Sequence, residues 1–290
     1  MLTKLLETIR PLDENAMESA RLHWDAIAKP LHSLGRLEDM IVQLAGICEN
    51  PVPAPRKKAV LIFCADNGIV AEGVTQTTQD VTAAVTQNFA KGIASVNALS
   101  RICGAEVFPV DIGVAQALDC PGVLNRKVAF GTQNFAHGPA MRRDEAEQAV
   151  CTGIDLVQEK AAEGYNLIVT GEMGIGNTTT SSAVFSVLQG LPPEQVTGRG
   201  AGLSDAGLQH KIQVISRAVA ALQPDPGDVL DVLSKVGGFD VCGMMGAFLG
   251  GAICRVPVLV DGFISAVAAN CAVRLCPACR DYIFASHCSK

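Results

Sequence analysis

With 290 residues, 49% hydrophobic and 18% charged, the chain can bury one large α/β core, or a large domain with a small one. A net charge of −6 with no basic run argues against nucleic acid and anionic membrane as partners. A small anionic ligand held by local donors stays compatible with that charge. The 11 cysteines are odd in number and scattered, and most sit in apolar runs such as those at Cys64, Cys103, Cys242, Cys254 and Cys271. That usage fits a reduced, cytoplasmic setting and not a disulfide framework. The first residues carry acids early and no long apolar core, so they read as no signal peptide. The apolar tract Val241 to Val273 is broken by Arg255, Pro257 and Asp261 and reads as helix, strand, helix, not as a membrane span.

Residues Asp13 to Cys48 read as helical, with Asp13 as N-cap and Pro30 dividing two helices. Leu31, Leu34, Leu37, Ile41 and Leu44 recur at helical spacing. Pro51-Val-Pro-Ala-Pro is a stiff linker that divides an N-terminal helical piece, residues 1–50, from a sheet domain, residues 51–290. The continuous apolar run from Ala59 to Ala65 predicts a strand buried on both faces, closed by the turn Asp66-Asn67-Gly68. One long helix is expected from Asp80 to Ile102. Glu106 to Asp111 is a second strand, closed by Gly113, and Val128 to Phe130 a third, ending at Gly131. Arg142 to Glu163 is a charged helix.

Asn166 to Val169 then predicts a strand, followed by Thr170-Gly-Glu-Met-Gly-Ile-Gly-Asn-Thr-Thr-Thr180. A helix through Leu188 follows, with Asn177 or Thr178 as N-cap. Its glycines fall at a strand-to-helix turn, where open α/β sheets place ligands and helix amides attract phosphate. Glu172 sits within that turn. Plain turn geometry accounts for the glycines equally well. Pro192-Pro193 ends the helix. Val196 to Asp205 is a second glycine-rich loop, and a helix carrying Lys211 follows through Leu222. Asp228 caps a helix to Ser234, Gly237-Gly238 opens a helix from Phe239 to Cys254, and Pro257 to Asp261 is a strand. Ser265 to Leu275 is helical, and Asp281 to Ser286 is strand-like. This alternation predicts a doubly wound, mostly parallel, Rossmann-like sheet with its site along one edge.

The Gly174-Ile-Gly176 turn lacks the lysine of a P-loop, and Gly198-Arg-Gly200-Ala-Gly202 lacks the spacing of a dinucleotide fingerprint. Two such turns with Lys211 make a better phosphate site together. Lys211 alone also fits a solvated helix face. Cys276-Pro-Ala-Cys279 with His287-Cys288 does not match a zinc pattern, and no metal is expected. Asp66, Asp111 and Asp261 each follow a strand, as turn or capping residues or as groups of a common site.

Several segments, in order and over nearly the whole chain, resemble the nicotinate-nucleotide–dimethylbenzimidazole phosphoribosyltransferase family. They are Phe63-Cys-Ala-Asp-Asn-Gly through Val74, Val110-Asp-Ile-Gly-Val, and Val128-Ala-Phe-Gly-Thr through Met141. Gly171-Glu-Met-Gly-Ile-Gly-Asn-Thr-Thr179, Ser234-Lys-Val-Gly-Gly-Phe-Asp240 and Pro257-Val-Leu-Val-Asp-Gly-Phe263 complete the set. The resemblance implies a parallel-sheet domain, a small helical domain built from the chain ends, and a homodimer. It implies transfer of phosphoribosyl from nicotinate mononucleotide to 5,6-dimethylbenzimidazole, with no cofactor, for the lower ligand of cobalamin. A catalytically inactive binder of nucleotide or benzimidazole is the alternative.

By that resemblance Gly174, Gly176, Asn177, Thr178, Gly200, Lys211 and Ser289 belong to the phosphate and ribose site. Glu172 is an acid near the ribose. Thr77 stands by the benzimidazole, and Val85 stands where the family can carry glutamine. The family's general-base glutamate lies in a Gly-Glu-Gly segment well past the stretch matching Ala285 to Ser289, and so beyond Lys290. The resemblance therefore leads us to expect a chain lacking that segment and the final helices of the small domain.

Overall fold

A computed structural model of the protein describes residues 2–288. Two expectations fall outside the described residues: Ser289 at the phosphate, and Lys290 as the point past which the general-base segment would lie. Three helices open the chain: α1 (Leu2–Leu6), α2 (Glu14–Ala26) and α3 (Arg36–Cys48). As expected, Asp13 caps α2, its carboxylate accepting from Ala16 N at 2.7 Å. The leucine stripe does not form as expected, because the helix starts only at Arg36. Leu31 and Leu34 fall in the turns before it, 66% and 47% exposed.

Strand β1 (Lys58–Ala65) follows the linker, then a 3₁₀ turn over Gly68–Glu72. The single long helix expected next is two, α4 (Asp80–Ala90) and α5 (Ser95–Cys103). Gly92 breaks it by taking φ +74°, a left-handed conformation that glycine adopts at least cost. Strand β2 (Ala105–Gly113) comes next, then β3 (Leu124–Asn125). Val128 to Phe130 do not form the third strand expected there. The pairing with β2 occurs earlier, at Leu124 and Asn125, and the chain turns at Gly131 with φ +80°.

Helix α6 (Arg143–Ala162), β4 (Leu167–Met173) and α7 (Asn177–Gln189) form the middle of the chain. Gly190, not the prolines, ends α7, and Pro193 starts the short α8 (Pro193–Val196). Then come α9 (Asp205–Leu222), α10 (Val229–Val236), α11 (Phe239–Cys254), β5 (Val258–Val260), α12 (Gly262–Leu275) and β6 (Ile283–Ala285).

The six strands lie in the order β3-β2-β1-β4-β5-β6, and every neighbouring pair is parallel. The order reverses between β1 and β4, so a crevice opens outside their carboxyl ends. Alternate residues of β1 serve different layers. Leu61 and Phe63 join the main core, and Val60, Ile62 and Cys64 join a smaller cluster with Ala83. Helix α11 is apolar all round and nearly all buried, as a central helix must be. Its backbone touches α6: a Cβ on Gly246 would lie 2.0 Å from the Val150 carbonyl oxygen. Arg255, at the end of α11, donates to the carbonyls of Gly46 and Ile47 and ties α3 to α11. Among the described residues no helix is long and apolar enough to cross a membrane, and no cluster is placed to hold a metal ion.

Candidate functional site

The site lies at the switch point. Strand β4 runs to Met173, so Glu172 stands on the strand and not in the turn where the sequence puts it. Its register partner is Phe63 of β1, whose ring lies against Gly243 of α11, so the pair faces that helix. Gly174 follows, at the point where the ends of β1 and β4 converge. A Cβ there would lie 2.2 Å from the Ala65 carbonyl oxygen, so the approach admits only glycine. Gly176, at φ +94°, is the N-cap of α7; neither Asn177 nor Thr178 fills that place.

The amide hydrogens of Asn177, Thr179 and Thr180 are already donated to the carbonyls of Gly174 and Gly176. The helix end still presents its positive pole to the crevice. Fewer backbone donors remain there than a bare helix terminus offers.

One cation, Lys211, stands beside that helix end. The solvated-face reading fails: Lys211 on α9 is 0% exposed. Its Nζ donates to Thr178 Oγ1 at 2.8 Å and to the Gly198 carbonyl at 3.3 Å, both neutral oxygens. Burial pulls its pKa down to about 8. Gly200 closes the far side with φ +54°, and a Cβ there would sit 2.9 Å from Thr178 Oγ1 and 3.6 Å from Lys211 Nζ. Gln76 reaches over from the loop after β1 and donates to the Gly202 carbonyl at 2.7 Å. The space left around Lys211, between Thr75, Gln76, Thr178 and Gly200, is about 10 Å³. A larger cavity of about 640 Å³ adjoins it, lined by Thr178, Phe185, Gly198, Gly200 and Phe263.

Glu172 is half-buried, and its carboxylate accepts from the Asn177 amide. Burial first, then the negative charges of Asp240 and Asp261, push its pKa up to about 8; the Asn177 contact opposes them. A carboxyl in that state carries a proton near neutral pH and ionises when a cation arrives beside it.

The acids expected after strands diverge in place and role, for Asp111 stands inside β2. Asp111 is paired with Lys127 at 2.9 Å, and Asp66 accepts from Ala115 N at 2.8 Å. Asp261 contributes to the field at Glu172. Thr77 is exposed on the loop that carries Gln76. Val85 is half-buried on α4, the helix whose Thr82 hydroxyl accepts from Ile175 N at 3.1 Å. Thus Glu172, Gly174, Gly176, Asn177, Thr178, Gly200 and Lys211 come together at the crevice. Among the described residues, no hydrogen bond joins Thr77 or Val85 to that group.

Sequence reading missed Gln76, Asn67 and Asp240. Asn67 and Asp240 are fully buried at the foot of the turn. Both stood in marked segments, one as a turn residue and one inside a helix opening. A polar residue sealed under a glycine turn leaves no trace in periodicity.

A sequence model of the family described as DBI_PRT, phosphoribosyltransferase, matches residues 9–290. A protein of Acetivibrio thermocellus named nicotinate-nucleotide–dimethylbenzimidazole phosphoribosyltransferase is 51% identical over 287 residues, 99% of this chain and 82% of the relative. One of the same name from Ruminiclostridium cellulolyticum is 50% identical, over 97% of this chain and 80% of the relative. A crystal structure titled CobT, from Thermus thermophilus, superposes with a TM-score of 0.90 at 40% identity, over 94% of this chain and 82% of that one.

Proposed function

This chain belongs to the phosphoribosyltransferase family just described, and on that premise we propose that it moves 5-phosphoribosyl from nicotinate mononucleotide to 5,6-dimethylbenzimidazole. The products are nicotinate and α-ribazole 5′-phosphate, the nucleotide of the cobalamin lower ligand. The observation that carries the reading is Lys211: a buried ammonium whose hydrogen-bond partners among the described residues are neutral, beside the head of α7. A phosphate dianion supplies the missing countercharge.

With the phosphate held between Lys211, Thr178 and the Gly200 loop, the ribose extends over Asn177 toward Glu172. The pyridinium nitrogen of the mononucleotide leaves C1′ as neutral nicotinate ring nitrogen, so departure needs no proton. The ribosyl carbon then resembles an oxocarbenium ion. Positive charge near Glu172 favours its ionised form, and the carboxylate stabilises the cation in a partly dry site. Attack by the benzimidazole nitrogen from the opposite face inverts β to α, and the azole sheds a proton to a carboxylate base. Thr77 and Val85 are proposed for the benzimidazole side.

The test is incubation of this chain with both substrates, followed by chromatography for ribazole phosphate. Nicotinate released only when benzimidazole is present supports the reading; mononucleotide bound and no ribazole phosphate formed counts against it.

We also propose a cytoplasmic homodimer. Exposed Leu99 lines an apolar groove of about 640 Å³ over Val60, Ile62, Val169 and Leu259, which extends to Glu172 and Asp261. Such a surface favours a second subunit. Light scattering that gives a monomer mass at micromolar concentration overturns it.

A further inference from the structure

Behind the Gly174 turn lie two buried polar groups that the transfer chemistry does not use. Asp240, at the start of α11, and Asn67, after β1, are each 0% exposed. Asp240 Oδ1 accepts from Val241 N at 2.9 Å, but Oδ2 has no hydrogen-bond partner among the described residues. Asn67 Oδ1 has none either, and its amide donates to the Ile175 carbonyl at 3.5 Å and lies toward Asp240. Unsatisfied oxygens in a dry interior are costly and call for a reason.

The two groups converge. Oxygens of both lie within 2.5 Å of the point where a Cβ on Gly238 would sit. Asp240 Oδ2 is 2.8 Å, and Asn67 Nδ2 3.1 Å, from the corresponding point on Gly174. The carboxyl and the amide thus meet head to head in the gap between two glycines. The amide of Asn177, which holds Glu172, also bears on Asp240.

We propose that Asp240 is a positioning residue for the transfer: its carboxyl, sealed behind Gly174, aligns the amides of Asn67 and Asn177 and through Asn177 fixes the carboxylate of Glu172. This rests on the proposed function only for what Glu172 faces; the coupling between the acids stands on the fold. One proton on Asp240, donated to Asn67 Oδ1, satisfies one orphan oxygen, while Asn67 Nδ2 turns to the other. Burial raises the Asp240 pKa to about 6, which brings that proton near neutrality. Among the titratable groups near the pair are Cys242 of α11 itself, Cys271 of α12, Cys64 and Asp66 of β1 and its turn, Asp111 of β2 with its Lys127, Glu172 of β4, and Asp261 after β5. Lys127 is committed to Asp111, so among these groups no cation is left to relieve Glu172 and Asp240 of each other.

The test follows the carboxyl carbons of Glu172 and Asp240 by NMR against pH in the ligand-free protein, with Asp240→Asn and Asn177→Ala. Asp240→Asn should lower the Glu172 midpoint by roughly half a unit or more, because Asp240 is already charged when Glu172 titrates. Asn177→Ala should raise the Glu172 midpoint. In turnover, the pH limb of kcat/KM should move with the same variants, which a merely structural Asp240 would not cause. Glu172 titrating alike in the parent and in Asp240→Asn, or, should that variant not fold, an Asp240 carboxyl signal in the parent with no inflection at the Glu172 midpoint, overturns the proposal. Coupled titrations in a protein that takes no mononucleotide would sink the proposed function and leave this coupling standing.

Discussion

Lys211 Nζ and Thr178 Oγ1 sit 2.8 Å apart, joining α9 to the first turn of α7 across the site. The contact aims a cation and a hydroxyl at one small volume from two different elements.

Replacing Lys211 with methionine should separate stability from binding. The folded pKa, about 8, is below the ordinary lysine value of 10.5, so the folded state resists the charge. That penalty is absent above the unfolded pKa, grows as pH falls, and is complete below about 8. Lys211→Met should therefore melt higher than the parent at pH 7, with the gap closing toward pH 10. Mononucleotide affinity should fall by about 1.5–3 kcal/mol, the worth of a charge-assisted hydrogen bond. Calorimetric melts and binding isotherms check both.

Anion binding should take up a proton. A phosphate beside Lys211 restores its preference for the charged form, so near pH 8 to 9 the site must gain protons as it takes up inorganic phosphate, which brings no cation to Glu172. Isotherms in buffers of different ionisation enthalpy should show this uptake, and Lys211→Met should abolish it. Equal apparent enthalpies in all buffers at pH 8.5 would remove Lys211 from the anion site.

Two glycines should fail differently. Gly174→Ala forces a Cβ to 2.2 Å from the Ala65 carbonyl, in rigid backbone, and should unfold or severely destabilise the protein. Gly200→Ala meets only the Thr178 hydroxyl at 2.9 Å and Lys211 Nζ at 3.6 Å, in an exposed loop, with a φ of +54°. It should cost about 1 kcal/mol of stability. It should also cost tenfold or more in mononucleotide affinity, roughly 1.4 kcal/mol. Urea melts and titrations on the two variants distinguish these outcomes.

Glu172→Gln should change the pH dependence of stability in the sense opposite to acid denaturation. The folded pKa of about 8 lies above the unfolded value, so the native state holds this proton more tightly. Stability from that preference is complete below about pH 4 and drains away as pH rises through 8. The glutamine variant should match the parent at pH 4.5 and exceed it at pH 8.5, while its transfer rate falls. Urea midpoints at the two pH values decide it.

Most of the parallel sheet was readable because β1, β2, β4 and β5 are runs rich in apolar residues that end at or just before Asp or Gly, as at Asp66, Gly113, Gly174 and Asp261. Gly176 could not be told from Asn177 as the cap, since both residue types serve there. The break at Gly92 was hidden by apolar residues that continue on both sides. Lys211 was the hardest. Its burial comes from the Gly198–Gly202 loop folding over it, and the Gln76 contact that holds the loop spans 126 residues.

The pairing of Phe63 with Glu172 carries one more implication. In a pleated ladder the facing of every side chain is a matter of odd or even count, and a slip of one place would send Met173 where the acid now points. The face of the sheet on which Glu172 stands is thus inherited from arithmetic along the strands, and Asn177 sets only the final direction of its carboxylate. Loops around the crevice can therefore be redesigned for other azoles, since none of them sets the parity on which the acid depends.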